Sequence, residues 1–438
     1  MSARKFVLPL SLTAALVGAM APTANSQANN LPAPAPVVAL DALVADALAQ
    51  NPEIKFYDAE IAAAKAGRKT AGRLGNPELS GDVGQKRVSG AGLAAEGVAW
   101  SVTLAQPFEW PGRIGLRKAI ANQDLELAHL GRERFRVALA GRVRTLGYGL
   151  FAAQEKSLAA SEVAGRFRAL REILVQRDPA GLTPLLETRV IEATELNAQR
   201  KATAAALATE TALLEINQLR GAAPATPLAV SNPQLMFEPA AESAALLARA
   251  RTNNFELRFR AAELAQQGFR VDLARNERFP TLRLGPTYSE ESVGNDRERI
   301  LGVGISLPVP LWNRGRGDIE AAQARQVQAE VSIQLAEREL QRQVLAAVSS
   351  YEARRREMAK WRPDSVQHFK EAAELADRHY RLGAVPISTY VELQKQYLEA
   401  VESLLETKLE ALEAAARLEL LTGLTPPLVR ARSPEVAR

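Results

Sequence analysis

The spacing of apolar residues changes in the same order in each half of the chain. Residues 41–74 carry apolar positions at helical spacing, and Asp41 is the expected N-cap. After Gly75-Asn76-Pro77, which predicts a helix stop, the period falls to two. We therefore predict a helix and then two strands around a polar loop at residues 85–96. The alternation is cleanest at Val98, Trp100, Val102 and Leu104.

The second half predicts the same elements, with a charged loop at residues 289–299 between its two strands. Long helices follow at residues 113–177 and 315–382, and at ~1.5 Å per residue each is roughly 100 Å long. A shorter helix returns from each long one and stops at Gly221 or Gly423. The apolar positions of the second strand pair are Leu282, Leu284, Leu301, Val303, Ile305 and Leu307.

An internal duplication explains this symmetry. Residues 51–221 align with residues 254–423 at an offset of 203, which becomes 202 after one slip. A period this long predicts two tandem modules and not a solenoid. Matching residues include Glu53 and Glu256, Pro77 and Pro280, Leu104 and Leu307, Pro107 and Pro310, and Gly112 and Gly315. The predicted divisions are repeat 1 at 41–221, a linker at 222–240, repeat 2 at 241–423 and a tail at 424–438.

The first residues predict export. Residues 1–28 have the charge and apolar pattern of a signal peptide, and residues 29–40 form a Pro-rich spacer. The chain has no cysteine, which excludes disulfides, thiolate metal sites and a lipidated N-terminal cysteine. Its net charge of +5 falls to +3 once Arg4 and Lys5 are removed, too balanced to indicate nucleic-acid binding. No later stretch is long and apolar enough for a transmembrane helix, so any span must use strands.

Four strands cannot close a membrane barrel, which needs at least about eight. An open sheet in lipid would leave backbone groups unpaired at several kcal/mol each, so the edges must pair with other copies. Trp100, within a strand, and Phe108, Trp110 and Trp312, near the strand ends, are candidate membrane-interface aromatics. The alternatives are soluble hairpins that pack on each other and aromatics that pack at the helix junction.

The chain resembles the TolC family of outer-membrane efflux factors. The resemblance implies a mainly α fold with four strands, a trimer with a 12-stranded barrel, and a helical coiled-coil tunnel in the periplasm of a Gram-negative bacterium. It also implies a periplasmic adaptor and an inner-membrane RND pump as partners. The residues around Glu109-Trp110-Pro111-Gly112 resemble the cobalt-zinc-cadmium branch, which implies heavy-metal efflux. The resemblance is carried by 51–53, 76–79, 106–113, 308–315 and 380–383.

The helix turns would form the periplasmic end of the tunnel. Matched to the family pattern, Thr389 and Glu392 take the positions of two acidic gate residues, and Glu187 lies after the first turn. Rings of acids would favour cations. The alternative is a solvated helix face. Candidate adaptor-docking residues are Gly181, Leu182, Thr183, Gly383, Ala384 and Val385, unless the glycines serve only the backbone.

No catalytic constellation is present in any recognisable motif, so we expect no enzyme and no cofactor. His129, His368 and His379 are expected to be surface residues, and no metal site is predicted. The predicted function is a passive outer-membrane channel of a tripartite efflux system. Alternatives are a drug efflux or type I secretion channel and, from another class, a periplasmic coiled-coil scaffold.

Overall fold

The protein is mainly helical, with one four-stranded sheet and two small two-stranded sheets, as the predicted fold class requires. A computed structural model describes residues 36–90, 93–177, 185–294, 296–362, 364–423 and 427–432. The helices are α1 Leu40–Gln50, α2 Pro52–Ala71, α3 Arg113–Arg177, α4 Leu185–Arg220, α5 Ser243–Asn253, α6 Phe255–Glu277, α7 Arg316–Met358, α8 Ser365–Arg381 and α9 Ile387–Thr422. The strands are β1 Val37–Val38, β2 Glu78–Gly90, β3 Leu93–Phe108, β4 Ala229–Val230, β5 Gln234–Phe237, β6 Leu282–Val293, β7 Asp296–Ser306 and β8 Val429–Arg432.

The large sheet joins the two repeats in the order β2-β3-β6-β7, with antiparallel neighbours throughout. Gly81 faces Val102 in the first hairpin, and Leu284 faces Ile305 in the second. These pairs are related by the same offset of 203 that relates the sequences. The two hairpins therefore share one register.

Both predicted loops, at 85–96 and 289–299, are wrong for most of their length, because the strands continue through them. Their charged residues pair across the strands: Arg87 binds Glu96 at 2.7 Å, and Arg299 binds Glu290 at 3.3 Å. Cross-strand ion pairs stabilise a ladder whose side chains are polar. Polarity alone therefore could not distinguish these strand ends from loops.

The predicted first helix at 41–74 is in fact two helices, and the same joint recurs in repeat 2. Asn51 caps α2 by accepting from the Glu53 N–H at 2.8 Å, and its amide donates to the Leu219 carbonyl at 2.9 Å. Asn254 caps α6 in the same way and donates to the Leu421 carbonyl at 3.0 Å. Each joint is thereby fixed to the last turn of the returning helix.

The N-terminal boundary also differs from the prediction. Ala39, not Asp41, is the N-cap of α1, and Asp41 lies in the first helical turn, where an acid interacts favourably with the helix dipole. The second helix ends at Ala71, three residues before the predicted end. No helix among the described residues is long and apolar enough to cross a bilayer.

The two long helices differ. The predicted helix at 113–177 matches α3, whose 65 residues extend for ~98 Å at ~1.5 Å per residue. The predicted helix at 315–382 is wrong, because α7 ends at Met358 and α8 begins at Ser365. The sequence has a proline at 363, outside the described residues. Proline disfavours helical backbone at the residue before it, and Arg362 is indeed not helical.

The small sheets lie in segments that the sequence suggested were spacers. In the predicted spacer at 29–40, β1 pairs in parallel with β4 of the predicted linker at 222–240. In the same linker, β5 pairs antiparallel with β8 of the predicted tail at 424–438. Long helices hold these strands: the Tyr351 hydroxyl donates to the Glu238 carbonyl at 2.6 Å, and Glu419 accepts from the Leu428 N–H at 2.6 Å. The described parts of these segments are therefore packed against the helices.

Candidate functional site

The large sheet has one apolar face. Because side chains alternate along a strand, the register places Leu79 with Leu104, and Val83 with Trp100, on the same side. These residues are solvent-exposed in the single chain. The same face continues on the second hairpin through Leu282, Leu284, Tyr288, Leu301, Val303 and Ile305.

The apolar face has the height of a membrane-facing band. From Val98 to Phe108, β3 extends for about 34 Å at ~3.4 Å per residue. A strand tilt of roughly 40° would reduce that height to about 26 Å, close to the ~25 Å band of outer-membrane barrels. Beyond Val98 this face becomes charged, with the Arg87–Glu96 ion pair. The apolar residues therefore end at a definite level.

The four candidate interface aromatics have different surroundings. Trp100 packs against Tyr288, with ring centroids 5.3 Å apart, near the charged end of the band. Phe108, at the other end of β3, is exposed. Trp110 stacks on Phe279 at 4.6 Å, the helix-junction packing that the sequence left as an alternative, whereas Trp312 is 94% exposed.

The opposite face of the sheet is polar and cross-linked. Ser101 donates to Asp82 at 3.1 Å, and the hydroxyls of Thr103 and Thr287 lie 3.1 Å apart across β3 and β6. Arg283 binds Glu78 at 3.1 Å, and Lys86 forms an ion pair with Glu291. A sheet with one apolar and one polar face suits a wall between lipid and water.

Arg113 joins the sheet to the helices, a role that the sequence did not reveal. This buried side chain at the start of α3 donates to the Asn276 carbonyl at 3.1 Å and to its side-chain oxygen at 3.0 Å. It also donates to the Phe279 carbonyl at 2.7 Å and the Thr281 hydroxyl at 3.0 Å. Repeat 1 is thereby fixed to the α6–β6 junction of repeat 2.

The turn after α8 is a Schellman motif. Gly383 has φ +73°, its N–H donates to the Tyr380 carbonyl at 2.9 Å, and the Ala384 N–H donates to the His379 carbonyl at 2.9 Å. Gly383 therefore has a backbone role, while docking by Gly383, Ala384 and Val385 stays a prediction. The other candidate turn, Gly181, Leu182 and Thr183, lies outside the described residues.

The three candidate gate residues are close to the turns but separate from one another. Thr389 and Glu392 are exposed in the first turns of α9, and Glu392 accepts from the Gln396 side chain at 2.7 Å. Glu187 is half-buried in the first turn of α4. Burial and then the Glu187 charge raise the pKa of Tyr380, which indicates that the two hairpin ends approach each other. Within the described ranges, no hydrogen bond or ion pair joins the three residues.

A polar network that the sequence did not predict links the two helical hairpins near this end. Arg166 of α3 binds Glu162 at 2.6 Å, donates to the side-chain oxygen (Oε1) of Gln394 at 3.1 Å and approaches Glu374 at 3.6 Å. Gln394 is fully buried and donates to the Ala373 carbonyl at 2.7 Å. The sequence signal was a glutamine within an apolar stretch of α9.

Aromatic packing supports the same contact. Tyr390 is fully buried between Phe167 of α3, at 5.5 Å, and Tyr380 of α8, at 5.3 Å. Its pKa is raised, chiefly by burial. The gate candidates thus lie on helices whose positions are fixed by a packed and hydrogen-bonded cluster.

Nothing in the described part of the chain groups three or more metal-ligating side chains. His368 is exposed and lies 3.4 Å from Asp364. Its surroundings are those of a surface side chain.

Comparison with known proteins identifies a family that is similar to the second half of the chain. Residues 246–424, most of repeat 2, match the family described as "Outer membrane efflux protein". Repeat 2 is therefore similar to the outer membrane efflux protein family. The resemblance to outer-membrane efflux proteins that the sequence predicted is confirmed over these residues.

One curated relative and several solved structures are also similar to the chain. The "Nickel-cobalt-cadmium resistance protein NccC" of Alcaligenes xylosoxydans xylosoxydans is 27% identical over 303 residues, 66% of this chain and 65% of that protein, so just under two thirds of its length is matched. The CmeC outer membrane channel of Campylobacter jejuni has a TM-score of 0.71 at 18% identity and covers 88% of this chain and 85% of its own. A membrane protein from Pseudomonas aeruginosa has a TM-score of 0.70 at 19% identity, covering 88% and 90%. At these identities the structures show a shared fold.

Proposed function

We propose that the chain forms a homotrimer in the outer membrane of a Gram-negative bacterium and conducts substrates passively as the outer channel of a tripartite efflux system. The twelve sheet strands of the three copies would close one barrel, and the helices of the trimer would form a tunnel through the periplasm. A periplasmic adaptor and an inner-membrane RND pump would be its partners. The observation that carries the proposal is the sheet with one apolar and one polar face on long helices.

The edges of the sheet support an oligomer. Among the described residues, the outer edges of β2 and β7 have no strand partner. An unpaired backbone group in lipid costs several kcal/mol, so both edges need strands from other copies. Since four strands are too few for a barrel, three copies would supply a closed ring of twelve.

We assign the gate to the periplasmic end, with Glu392 and Glu187 near the pore and Thr389 at a position where the family pattern has an acid. Three copies of each acid would attract cations in a narrow mouth. The turns at Gly383, Ala384 and Val385, and at Gly181, Leu182 and Thr183, would dock the adaptor. The membrane-interface aromatics would be Trp100, Phe108 and Trp312, with Trp110 at the junction.

The proposed substrates are heavy-metal cations. Support comes from the name of the NccC relative, which describes nickel, cobalt and cadmium resistance. Deletion of the gene should sensitise its host to these ions, and expression of the intact chain should restore growth. Restored resistance to drugs with no change in metal tolerance would instead indicate a drug efflux channel.

A planar bilayer experiment tests the channel and its gate. Detergent-purified protein should give discrete, cation-preferring conductance, and Glu392→Gln should reduce the cation preference, seen as a smaller reversal potential under a salt gradient. Glu406→Gln, an exposed acid farther along α9, is the matched control and should leave the reversal potential unchanged. A folded helical sample that neither conducts nor fractionates with the outer membrane would favour the periplasmic scaffold.

A further inference from the structure

We propose that β7 of one copy pairs with β2 of the next in the same register that β3 and β6 use within the chain, so that Ser306 faces Gly84 of the neighbouring copy. This inference rests on the proposed function, because it requires an oligomeric barrel. It goes further by naming the contacts between copies. The partner is a second copy of this chain, docked at the free edges of the sheet.

The contact between β3 and β6 is the template. Thr103 faces Thr287, with the two hydroxyls 3.1 Å apart, and Phe108 faces Leu282 near the helices. This contact joins repeat 1 to repeat 2 through the second strand of one hairpin and the first strand of the next. The contact between copies would join the same two kinds of edge, namely β7 and β2.

Internal symmetry makes the template transferable. The two hairpins have identical registers at an offset of 203, so β7 is the counterpart of β3, and β2 is the counterpart of β6. Applying that offset converts the Thr103–Thr287 pair into Ser306 and Gly84. It likewise converts the Gln106–Leu284 pair into Val309 and Gly81, and the Phe108–Leu282 pair into Leu311 and Leu79.

The side chains assigned to this contact are the ones left exposed in a single chain. Leu79 is 73% exposed, Val309 is 67% exposed and Leu311 is 63% exposed. Residues 307–311 lie beyond the end of β7, whereas their counterparts at 104–108 are strand. A neighbouring β2 would give these residues a pairing partner and would complete the apolar band.

The helices below the sheet repeat the pattern. Ala128 of α3 and Phe259 of α6 line one cavity where those helices pack together. Their counterparts, Val331 of α7 and Phe56 of α2, are both exposed. The same offset therefore brings Phe56 of the neighbouring copy against Val331.

The junction between sheet and helices follows the same rule. Arg316 is the counterpart of Arg113 and is exposed, whereas Arg113 is buried by its contacts with Phe279 and Thr281. The counterparts of those two partners are Asn76 and Glu78, whereas Asn276, which accepts two further bonds from Arg113, has Arg73 as its counterpart, whose side chain cannot accept. Arg316 would thus donate to Asn76 and Glu78 of the neighbouring copy, with a carboxylate where the chain itself supplies a hydroxyl.

Cysteine cross-linking tests the register, because the native chain has no cysteine. In Gly84→Cys/Ser306→Cys, each chain carries both halves of the proposed contact, so oxidation should link copies into covalent dimers and closed trimers. A Cβ added at Gly84 meets no atom within 4 Å, so the substitution fits the strand. Full-length protein in isolated outer membranes would be oxidised with copper phenanthroline and run on non-reducing gels.

Two matched variants complete the experiment. Thr103→Cys/Thr287→Cys copies the template and should form a disulfide within one chain, which verifies that the sheet is folded. Asp82→Cys/Ser306→Cys shifts one partner by two residues on the same face and should cross-link at least tenfold more slowly than Gly84→Cys/Ser306→Cys.

The outcomes separate the two proposals. Rapid linkage of Gly84→Cys/Ser306→Cys supports the register. Faster linkage of Asp82→Cys/Ser306→Cys, or no linkage in a protein that amine-reactive cross-linkers show to be trimeric, overturns the register and leaves the channel proposal standing. A monomeric chain whose template disulfide still forms overturns both.

Discussion

Substitution of Arg113 by alanine should destabilise the joint between sheet and helices. The side chain is 9% exposed and makes four hydrogen bonds to the α6–β6 junction, at 2.7 to 3.1 Å. Two of the acceptors are backbone carbonyls, which cannot turn away to find another donor. Removal of the guanidinium therefore leaves them dependent on water that enters the space.

The expected loss is about 3 kcal/mol. A hydrogen bond from a charged donor contributes ~1.5–3 kcal/mol, but the junction is only partly buried, so water replaces much of each bond, and ~0.7 kcal/mol for each of the four is a fair share. For a chain of this size, 1 kcal/mol corresponds to about 2 °C in melting temperature, so we expect a decrease of about 6 °C. Arg113→Lys should recover less than half, because one ammonium cannot reproduce the planar fork.

Thermal unfolding of the detergent-purified protein measures this loss. Tryptophan fluorescence is a suitable probe because Trp110 stacks on Phe279, next to the Arg113 contacts. Arg136→Ala, on the same helix, is the matched control, since it removes only an exposed ion pair at 3.8 Å and should change stability by less than about 0.5 kcal/mol. If Arg113→Ala and Arg136→Ala melt within about 2 °C of each other, the junction does not depend on Arg113.

Three further substitutions have predicted signs. Gly383→Ala should lower the free energy of unfolding by about 1 kcal/mol, because the backbone φ there is +73°. Gly165→Ala, inside α3 with open space for a Cβ, should raise it by about 0.5 kcal/mol. Denaturant unfolding measures both changes, and changes of the same sign would contradict the argument. Burial raises the pKa of Glu419 and outweighs the backbone N–H donors and the Arg144 charge, which lower it. The contribution of Glu419 to the free energy of unfolding is therefore present at acidic pH and is lost as pH rises through the raised pKa. Glu419→Gln, which is always neutral, should therefore show a smaller fall in melting temperature from acidic to neutral pH, and an unchanged fall would exclude this group.

The duplication let much of the fold be predicted. The order of two strands, a long helix and a return helix recurs in both halves, except that the long helix of repeat 2 is divided into α7 and α8, and the predicted start and end of α3 match the structure. The pattern of polar and apolar residues failed to predict the strand ends, because backbone pairing does not require apolar side chains. At Arg87 and Glu96 the residues look like a loop but form a cross-strand ion pair.

Helix breaks were harder to predict than helices. Asn51 lies in a run with apolar residues at helical spacing on both sides, yet its side chain caps α2 and ends α1. The signal was the proline at position 52, which suits the first position of a helix better than its interior. Repeat 2 has the same cap at Asn254 without a proline, so only the internal alignment could have revealed that joint.

The candidate site was predicted unevenly. The sequence placed Glu187, Thr389 and Glu392 near helix starts, and they are there. It could not reveal the Arg166 and Gln394 network, because this contact joins residues 228 positions apart. Such contacts depend on how helices pack, and no local pattern records that.

The unequal helices have a mechanical consequence. Because α3 is one uninterrupted helix of ~98 Å, an axial displacement at one end can be passed along its hydrogen-bonded turns toward the other end. In repeat 2, α7 ends at Met358 and α8 begins at Ser365, so the corresponding helix is interrupted between them. The long helix of repeat 1 is continuous, whereas that of repeat 2 is interrupted. A displacement at the Gly383 end can therefore be taken up by bending at the interruption before it reaches the sheet.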